Sequence, residues 1–548
     1  MNEFRNKTVL VVDDFSNMRS TLKQMLSSIG FETIHTAING DEAIDLISRI
    51  PFDIVLCDYN LGEGKDGQQV LEEVRHRKLL RRSAIFFVIT AENTTEMVLG
   101  AVEYKPDGYL TKPFTKELLR KRLDRLLGRK ADLSELEKAV EDQDLQTAIE
   151  ICDRRIAAQT RNAGEFVQIK VELCLNTGRH KEAEEICRHL LAERSIPWAA
   201  VALGKTLQLQ GRLEEARTLF REQVQQNPMF MEAHDGLAKT LIALGDIQAA
   251  QEVLANAASI SPRAILRQRM LGEVATRNGS LTVAERAYRK TVQLGRESVF
   301  KDPAHYTALS DVLVKSSKSN EAIKLIDTMR TEFRGEAPAL LQAVLAEGRV
   351  YTSIGREADA KKAFSEAIDL HAKGARIDDE TSVELAKAYI QVGETEKGLS
   401  LLRDAVRNNH EDADFIAKAK TSFMESGLQQ QALEVITSTQ EVVTRLNNTG
   451  VELVKQGRLE EAIRLFEQAA KEMPDNRTIA LNAAQALLMW MEKSTCTPQG
   501  LATVRERLTR VRQKYPSNGT LHRLWAIYKR MADNAKLARS ATTPAVPS

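Results

Sequence analysis

A short sequence element recurs through residues 131–548 and restricts how this part of the chain can fold. Each copy has a small residue, usually glycine, followed five positions later by a second small residue, usually alanine. The copies are Gly178/Ala183, Gly211/Ala216, Gly245/Ala250, Gly279/Ala284, Ser317/Ala322, Gly355/Ala360, Gly393/Gly398, Gly427/Ala432 and Gly457/Ala462. Their second positions are spaced by 33, 34, 34, 38, 38, 38, 34 and 30 residues. Such a repeat predicts stacked structural units, each of which buries its apolar face only against its neighbours.

The residues around each element predict a pair of antiparallel helices. A small residue lies seven positions before the glycine, as at Gly204, and a large apolar residue lies four positions after the alanine, as at Phe220. Small residues let two helices approach, glycine permits the turn between them, and the large side chain fills the gap to the next unit. Pro228, Pro262 and Pro474 end the second helix of three units.

This frame resembles the tetratricopeptide repeat, most closely at Gly211–Ala216 and Gly457–Ala462, which both read Gly-Arg-Leu-Glu-Glu-Ala. We expect an all-α solenoid over residues 131–531, with nine clear repeats and degenerate units near 132–158 and 476–516. The unequal spacings predict irregular stacking between about residues 290 and 465. Residues 532–548, rich in Ala, Thr, Pro and Ser toward their end, are predicted to be a disordered tail.

The first 130 residues alternate short β-branched runs with amphipathic helical stretches. The predicted strands are Thr8–Val12, Thr33–Thr36, Asp53–Cys57, Ile85–Ile89 and Gly108–Thr111, and the helices begin near Ser16, Gly40, Gly67, Thr94 and Thr115. Strands separated by helices form a parallel sheet with helices on both faces. Residues 1–130 are therefore predicted to be one flavodoxin-like, doubly wound α/β domain with five parallel strands.

Polar residues follow the predicted strands where ligands bind such sheets. Asp13 and Asp14 follow the first strand, Asp58 the third, Thr90 the fourth, and Lys112 the fifth. Three converging carboxylates repel one another unless a cation lies between them, and oxygen ligands favour Mg²⁺. A lysine and a hydroxyl opposite them complement a phosphoryl group. The pattern predicts phosphoryl transfer to an aspartate, with Asp58 as nucleophile.

Residues 7–128 resemble a receiver domain of two-component signalling, close to the single-domain chemotaxis type, most clearly over Val11–Arg19 (VVDDFSNMR). The resemblance implies that a sensor histidine kinase phosphorylates Asp58, and that Mg²⁺ is held by Asp13, Asp14, Asp58 and the backbone carbonyl of Asn60. It also implies that Thr90 and Lys112 contact the phosphoryl oxygens, that Tyr109 is the aromatic switch residue, and that Lys112–Pro113 is a cis peptide. The loop from Tyr59 to Gly67 departs from the usual pattern, since it has no proline and one extra residue.

Two polar side chains are predicted to set the lifetime of the phosphoryl group. Asn60 lies two residues after Asp58, and Glu92 lies two residues after Thr90. Hydrolysis needs a water in line with the phosphorus, which polar side chains can orient and bulky apolar ones exclude. The same pair of residue types occurs in the fast chemotaxis-type receivers. We expect a lifetime of seconds to about a minute, unless both side chains simply face solvent.

The repeats predict an output through protein binding, in the groove that stacked helix pairs form. Lys205, Lys239, Arg349 and Lys387 lie near positions that bind acidic peptides in some tetratricopeptide domains, but Glu172, Glu273 and Asp311 interrupt them. A mixed, solvated face is the alternative. The protein is predicted to be a regulator rather than an enzyme, apart from the reactions of its own aspartyl phosphate.

Basic clusters at residues 116–130 and 505–530 leave nucleic acid as a less favoured partner, and a phosphate sink for a kinase is a third reading. Lys and Arg total 77 against 76 Asp and Glu, so bulk charge favours no polyanion. We expect a cytoplasmic, bacterial-type protein with no membrane insertion, because no apolar stretch approaches about 18 residues. The sequence leaves a homodimer open.

Overall fold

The computed structural model describes residues 4–81, 83–91, 106–142, 144–160, 162–424, 429–515 and 518–542. Two compact units are present. The first comprises Met1–Leu175 and Arg179–Val312, and the second comprises Asn176–Gly178 and Leu313–Ser548.

The first unit begins with a five-stranded parallel sheet of order β2-β1-β3-β4-β5. Its strands are β1 Thr8–Val12, β2 Thr33–Ala37, β3 Ile54–Asp58, β4 Ile85–Thr90 and β5 Gly108–Thr111. Its first helices are α1 Ser16–Ile29, α2 Gly40–Arg49 and α3 Gly67–His76. The predicted doubly wound fold is confirmed, and the predicted starts of these three helices are correct. The helix predicted near Thr94 lies outside the described residues.

Apolar side chains cover both faces of this sheet. Leu22 and Leu26 of α1 pack with Val9 and Val11 on one face, while α2 and α3 cover the other. The central strands β1 and β3 are therefore buried, which is why they read as unbroken apolar runs. Polar side chains become tolerable only where these strands end, at the edge that carries Asp13 and Asp58.

A single helix, α4, runs from Lys116 to Glu141 and passes through residue 130, where we placed the domain boundary. Its first half packs on the sheet through Leu119 and Leu123, and its second half packs in the first repeat core through Leu133 and Leu136. The sheet domain and the repeat helices of this unit are thus joined by continuous helix rather than by a flexible linker.

Paired helices complete the first unit. They are α5 Leu145–Ala157, α6 Ala163–Asn176, α7 His180–Glu193, α8 Pro197–Leu209, α9 Leu213–Gln226, α10 Met231–Leu244, α11 Ile247–Ile260, α12 Ile265–Arg277, α13 Leu281–Gly295 and, at its C-terminal limit, α14 Pro303–Lys315. Fully buried Phe220 shows how they stack. A Cβ atom built on Gly204 would lie 2.5 Å from its ring, and one built on Gly236 would lie 2.4 Å from it. The small residues of successive first helices therefore form the slot that this ring fills.

The second unit contains helices throughout its described residues. They are α15 Ser319–Glu332, α16 Ala337–Ser353, α17 Glu357–Ala372, α18 Asp379–Val392, α19 Thr395–Asn408, α20 Ala413–Met424, α21 Gln429–Lys455, α22 Leu459–Glu472, α23 Arg477–Lys493, α24 Pro498–Lys514 and α25 Gly519–Thr542. The shortest repeat spacing, 30 residues, falls on α21, a continuous helix of 27 residues. Where other repeats turn, α21 continues. The last helix, α25, extends to Thr542, into the segment that we predicted to be a disordered tail.

Candidate functional site

Three carboxylates meet at the carboxyl edge of the sheet. Strands β1 and β3 are neighbours with Val12 opposite Cys57, which places Asp13 and Asp58 side by side just beyond them. Asp13 is 1% exposed and Asp58 is 6% exposed, whereas Asp14 is partly exposed. One carboxylate oxygen from each of Asp13, Asp14 and Asp58 lies within 4.8 Å of the others. The predicted convergence is therefore present.

Lys112 connects two of these carboxylates. Its Nζ donates to Asp58 Oδ2 at 2.7 Å and to Asp13 Oδ2 at 2.9 Å. The lysine is positioned by its own backbone, because Lys112 N donates to the Thr90 carbonyl at 2.8 Å just beyond the β4–β5 pairing. The Lys112–Pro113 peptide is cis, as predicted. The site thus holds a cation against the candidate nucleophile.

Burial and charge act in opposite directions on these groups. Desolvation raises the pKa of Asp58 above its ordinary value, although the hydrogen bond from Lys112 opposes the shift. Desolvation lowers the pKa of Lys112, but its hydrogen bonds to Asp58 and Asp13 outweigh this, so that its pKa is raised. The lysine therefore stays charged. One ammonium group does not neutralise three carboxylates, which leaves the site favourable for a further cation.

The donor set fits Mg²⁺. Asp14 Oδ1 is buried and has no hydrogen-bond partner among the described residues. A buried carboxylate oxygen without a partner carries a large desolvation cost, which a coordinated cation removes. Since the clustered ligands are all carboxylate oxygens, a hard divalent ion suits them better than zinc.

The remaining predicted residues surround this cluster unequally. Thr90 ends β4 beside Thr111 of β5, and Tyr109 lies on β5 with a buried hydroxyl that has no hydrogen-bond partner in the described part of the chain. Asn60 is exposed, and its Oδ1 accepts from the backbone N–H of Gly62 at 3.3 Å. Glu92 lies outside the described residues, so that only the Asn60 half of the proposed water-orienting pair has a described position.

Sequence reasoning missed the role of Gly67, which we treated only as the start of a helix. A Cβ atom at this position would lie 2.1 Å from the Asp58 carbonyl oxygen, so only glycine lets α3 begin this close to the strand end. Gly67 N also donates to the Tyr59 carbonyl at 2.8 Å. The helix start is therefore fixed to the two residues at the candidate phosphorylation site.

Comparison with known proteins identifies this domain. A family model described as the response regulator receiver domain matches residues 9–124. Chemotaxis protein CheY-3 of Vibrio cholerae serotype O1 is 34% identical over 125 residues, which are 95% of that protein and 23% of this chain. Chemotaxis protein CheY of Pseudomonas aeruginosa is 31% identical over 121 residues, 96% of that protein and 22% of this chain. The solved structure of Vibrio cholerae CheY4 is 28% identical, covering 98% of that chain and 22% of this one, with a TM-score of 0.21.

Models of helical repeats match much of the remainder. Tetratricopeptide repeat models match residues 207–271, 453–489 and 341–447, and a PPR repeat model matches residues 304–332. A parallel sheet with clustered aspartates and a lysine at one edge, followed by helical pairs, defines a receiver joined to a repeat array. The chain belongs to the response regulator receiver family, and tetratricopeptide repeats extend across the rest of it.

The cationic groove candidates are mostly paired. Lys205 lies 3.5 Å from Glu232, and Arg349 lies 3.3 Å from Glu384. Lys387 donates to Ser422 at 2.9 Å. Pairs of this kind form a mixed face rather than a continuous positive strip for an acidic peptide.

The C-terminal basic cluster is similarly engaged. Arg510 pairs with Glu506, Lys514 with Asp475 and Arg530 with Glu492, while Arg512 stacks on Trp525 at 4.5 Å. These contacts weaken the case for a nucleic-acid surface, which needs cations available to phosphates. In the part of the chain that the structure describes, no helix combines the length and apolarity needed to cross a membrane.

Proposed function

We propose that this protein is a response regulator that accepts a phosphoryl group on Asp58 from a histidine kinase and signals through protein binding by its repeat helices. The observation that carries the proposal is the group formed by Asp13, Asp14 and Asp58 with Lys112 bonded to two of them. The protein is a regulator in this account, since its only covalent chemistry occurs on its own side chain.

The proposed transfer uses the Asp58 carboxylate as nucleophile. An Asp58 oxygen forms the new bond to phosphorus, while the bond from phosphorus to the kinase histidine nitrogen breaks and the imidazole leaves. Asp13, Asp14, Asp58 and the Asn60 carbonyl are the groups that would hold Mg²⁺. This ion would neutralise the repulsion between the carboxylates and the incoming phosphoryl oxygens.

Lys112 and Thr90 act on the opposite side of the phosphoryl group in this proposal. The ammonium group already lies 2.7 Å from Asp58, so a phosphoryl oxygen on that carboxylate comes within its reach. Thr90 offers a hydroxyl from the neighbouring strand, and Tyr109 lies behind it on β5. The unpaired Tyr109 hydroxyl supports its proposed role as the residue that changes position, because its present site gives it no polar partner among the described residues.

Dephosphorylation is proposed to involve Asn60. Its exposed amide lies two residues after Asp58, where it can orient a water toward the phosphorus. A lifetime of seconds to about a minute follows if the water is held there.

The proposal is tested by labelling the full chain with a small-molecule phosphodonor while Mg²⁺ is titrated. We expect Mg²⁺-dependent labelling in the wild type, none in Asp58→Asn, and a much higher Mg²⁺ requirement in Asp14→Asn. Asp53→Asn is the matched control, because Asp53 immediately precedes the same strand at its opposite end and bonds Lys7. Wild-type labelling in Asp58→Asn, or labelling that ignores Mg²⁺, contradicts the proposal.

A further inference from the structure

Helix α3 buries polar residues on the side that faces away from the sheet. Val70, Leu71 and Val74 pack in the sheet core, as expected of a surface helix. Gln68 and Glu72, four residues apart, are nevertheless only 3% and 2% exposed. A helix that covers a sheet normally leaves its polar stripe in water, so a second body covers this stripe.

Repeat helices of the same unit supply that cover. Ser298, which is 6% exposed, donates from its hydroxyl to Glu72 Oε2 at 3.1 Å. The rings of His76 and Phe300 meet edge to face, with centroids 5.2 Å apart. Both array residues lie in the turn between α13 and α14. Contacts therefore extend along two turns of α3.

A charged pair lies at the N-terminal end of the same contact. The Arg263 guanidinium, just before α12, bonds Asp66 Oδ2, and it lies 5.8 Å from the centre of the Tyr59 ring. Asp66 also caps α3, because its Oδ1 accepts from Gln69 N at 2.9 Å. The pair thus joins the repeat array to the residue that fixes the start of the helix. We call Asp66, Gln68, Glu72 and His76 the docking face.

Hydrogen bonds connect this face to the residue next to Asp58. The Tyr59 hydroxyl donates to Gln68 Oε1 at 3.0 Å, and Gln68 Nε2 donates to Glu72 Oε1 at 3.2 Å. Glu72 then accepts from Ser298 of the repeat array. The side chains therefore form an unbroken path from Tyr59 to the repeats. A path of this kind transmits a signal only if its end contact has two states.

We propose that the docking face is an intramolecular binding surface for the repeat segment 263–300, and that a phosphoryl group on Asp58 releases it. This second part depends on the proposed phosphorylation of Asp58. A phosphoryl group adds about 1.5 to 2 negative charges. It competes with Asp66 for Arg263 and raises the repulsion on buried Glu72, so both main polar contacts weaken. The contact is also more polar than a protein core, as reversible interdomain contacts are.

The test is hydrogen exchange of the full chain, followed at residues 67–76 and 296–302. Arg263→Glu should raise exchange in both segments on the order of tenfold, the effect of losing one charge-assisted contact. Asp66→Asn is the second variant, because asparagine keeps the capping oxygen and removes only the charge. Arg286→Glu is the matched control, since Arg286 is an exposed arginine on α13, and it should leave both segments unchanged.

Beryllofluoride with Mg²⁺ serves as the phosphoryl probe. In the wild type it should raise exchange in both segments, and in Asp58→Asn it should not. Wild-type exchange in both Arg263→Glu and Asp66→Asn overturns the docking surface. If a phosphodonor labels Asp58 but beryllofluoride leaves both segments protected, the release is overturned. Failure of the labelling itself contradicts the proposed function and leaves the docking surface to be judged by the variants.

Discussion

Adding one methyl group at Gly236 should loosen the stacking of two repeats. The new Cβ would lie 2.4 Å from the Phe220 ring, whereas carbon atoms in contact lie about 3.5–4.0 Å apart. The ring cannot retreat, because a Cβ on the other side, at Gly204, would lie 2.5 Å from it. Overpacking of this kind costs roughly 1–3 kcal/mol, and the restrained ring places this site at the upper end. Alanine recovers about 1 kcal/mol of helix propensity, so we expect a net destabilisation of about 2 kcal/mol.

Gly128→Ala is the matched control for this substitution. Gly128 lies in the interior of α4, and nothing lies within 4 Å of a Cβ built there. It should therefore stabilise its helix by up to about 1 kcal/mol. Urea unfolding and hydrogen exchange of residues 197–244 in the full chain measure both effects, and adding Phe220→Leu should rescue part of the loss in Gly236→Ala. If Gly236→Ala is as stable as the wild type, Phe220 is not held as described.

Three further outcomes are expected. Burial lowers the pKa of His234, so the folded state favours its neutral form; the stability contributed is complete above the unfolded pKa of about 6.5 and falls as the pH is lowered. Urea midpoints at pH 7.5 and 5.5 should therefore differ less in His234→Gln, and an unchanged difference contradicts this. Asp107→Asn should destabilise the receiver by about 1–3 kcal/mol, because its carboxylate accepts from Arg75, Lys130 and Phe86 N; a wild-type melting temperature would refute it. Finally, Asn60→Arg should slow decay of the phosphoryl group several-fold or more, and decay at the wild-type rate counts against a water held by this residue.

The sheet and the phosphorylation site could be predicted because local patterns determine them. Apolar runs such as Val9–Val12 mark strands that are covered on both faces, and parallel strands bring their carboxyl ends to one edge. Residues as distant in sequence as Asp13 and Lys112 are therefore placed together by strand order alone. The family resemblance then assigned roles that spacing could not supply.

The continuity of two helices was not predicted. We ended the last receiver helix at Gly128, but an exposed glycine inside a helix costs only about 1 kcal/mol, and Leu133 and Leu136 continue the buried face beyond it. In α21 the repeat spacing is 30 instead of 34 residues, a shortage of about one turn. The chain omits the turn and keeps one helix, which the spacing signalled but did not define.

The docking face could not be derived from sequence, because its partners are too distant along the chain. Glu72 and Ser298 are 226 residues apart, and Asp66 and Arg263 are 197 apart. No periodicity links such positions. A local signal did exist, since Gln68 and Glu72 share one side of α3, but that pattern is equally typical of a solvated helix face.

Mapping the phosphoryl group on the full chain tests the central claim most directly. After reaction with a phosphodonor in Mg²⁺ and reductive trapping of the acyl phosphate, peptide mass spectrometry should find one modified residue, Asp58, which follows directly from β3 at the edge shared with Asp13. Chelation of Mg²⁺ should remove the modification. A phosphoryl group on another residue, or an unmodified Asp58 under conditions that label other receivers, would contradict the account.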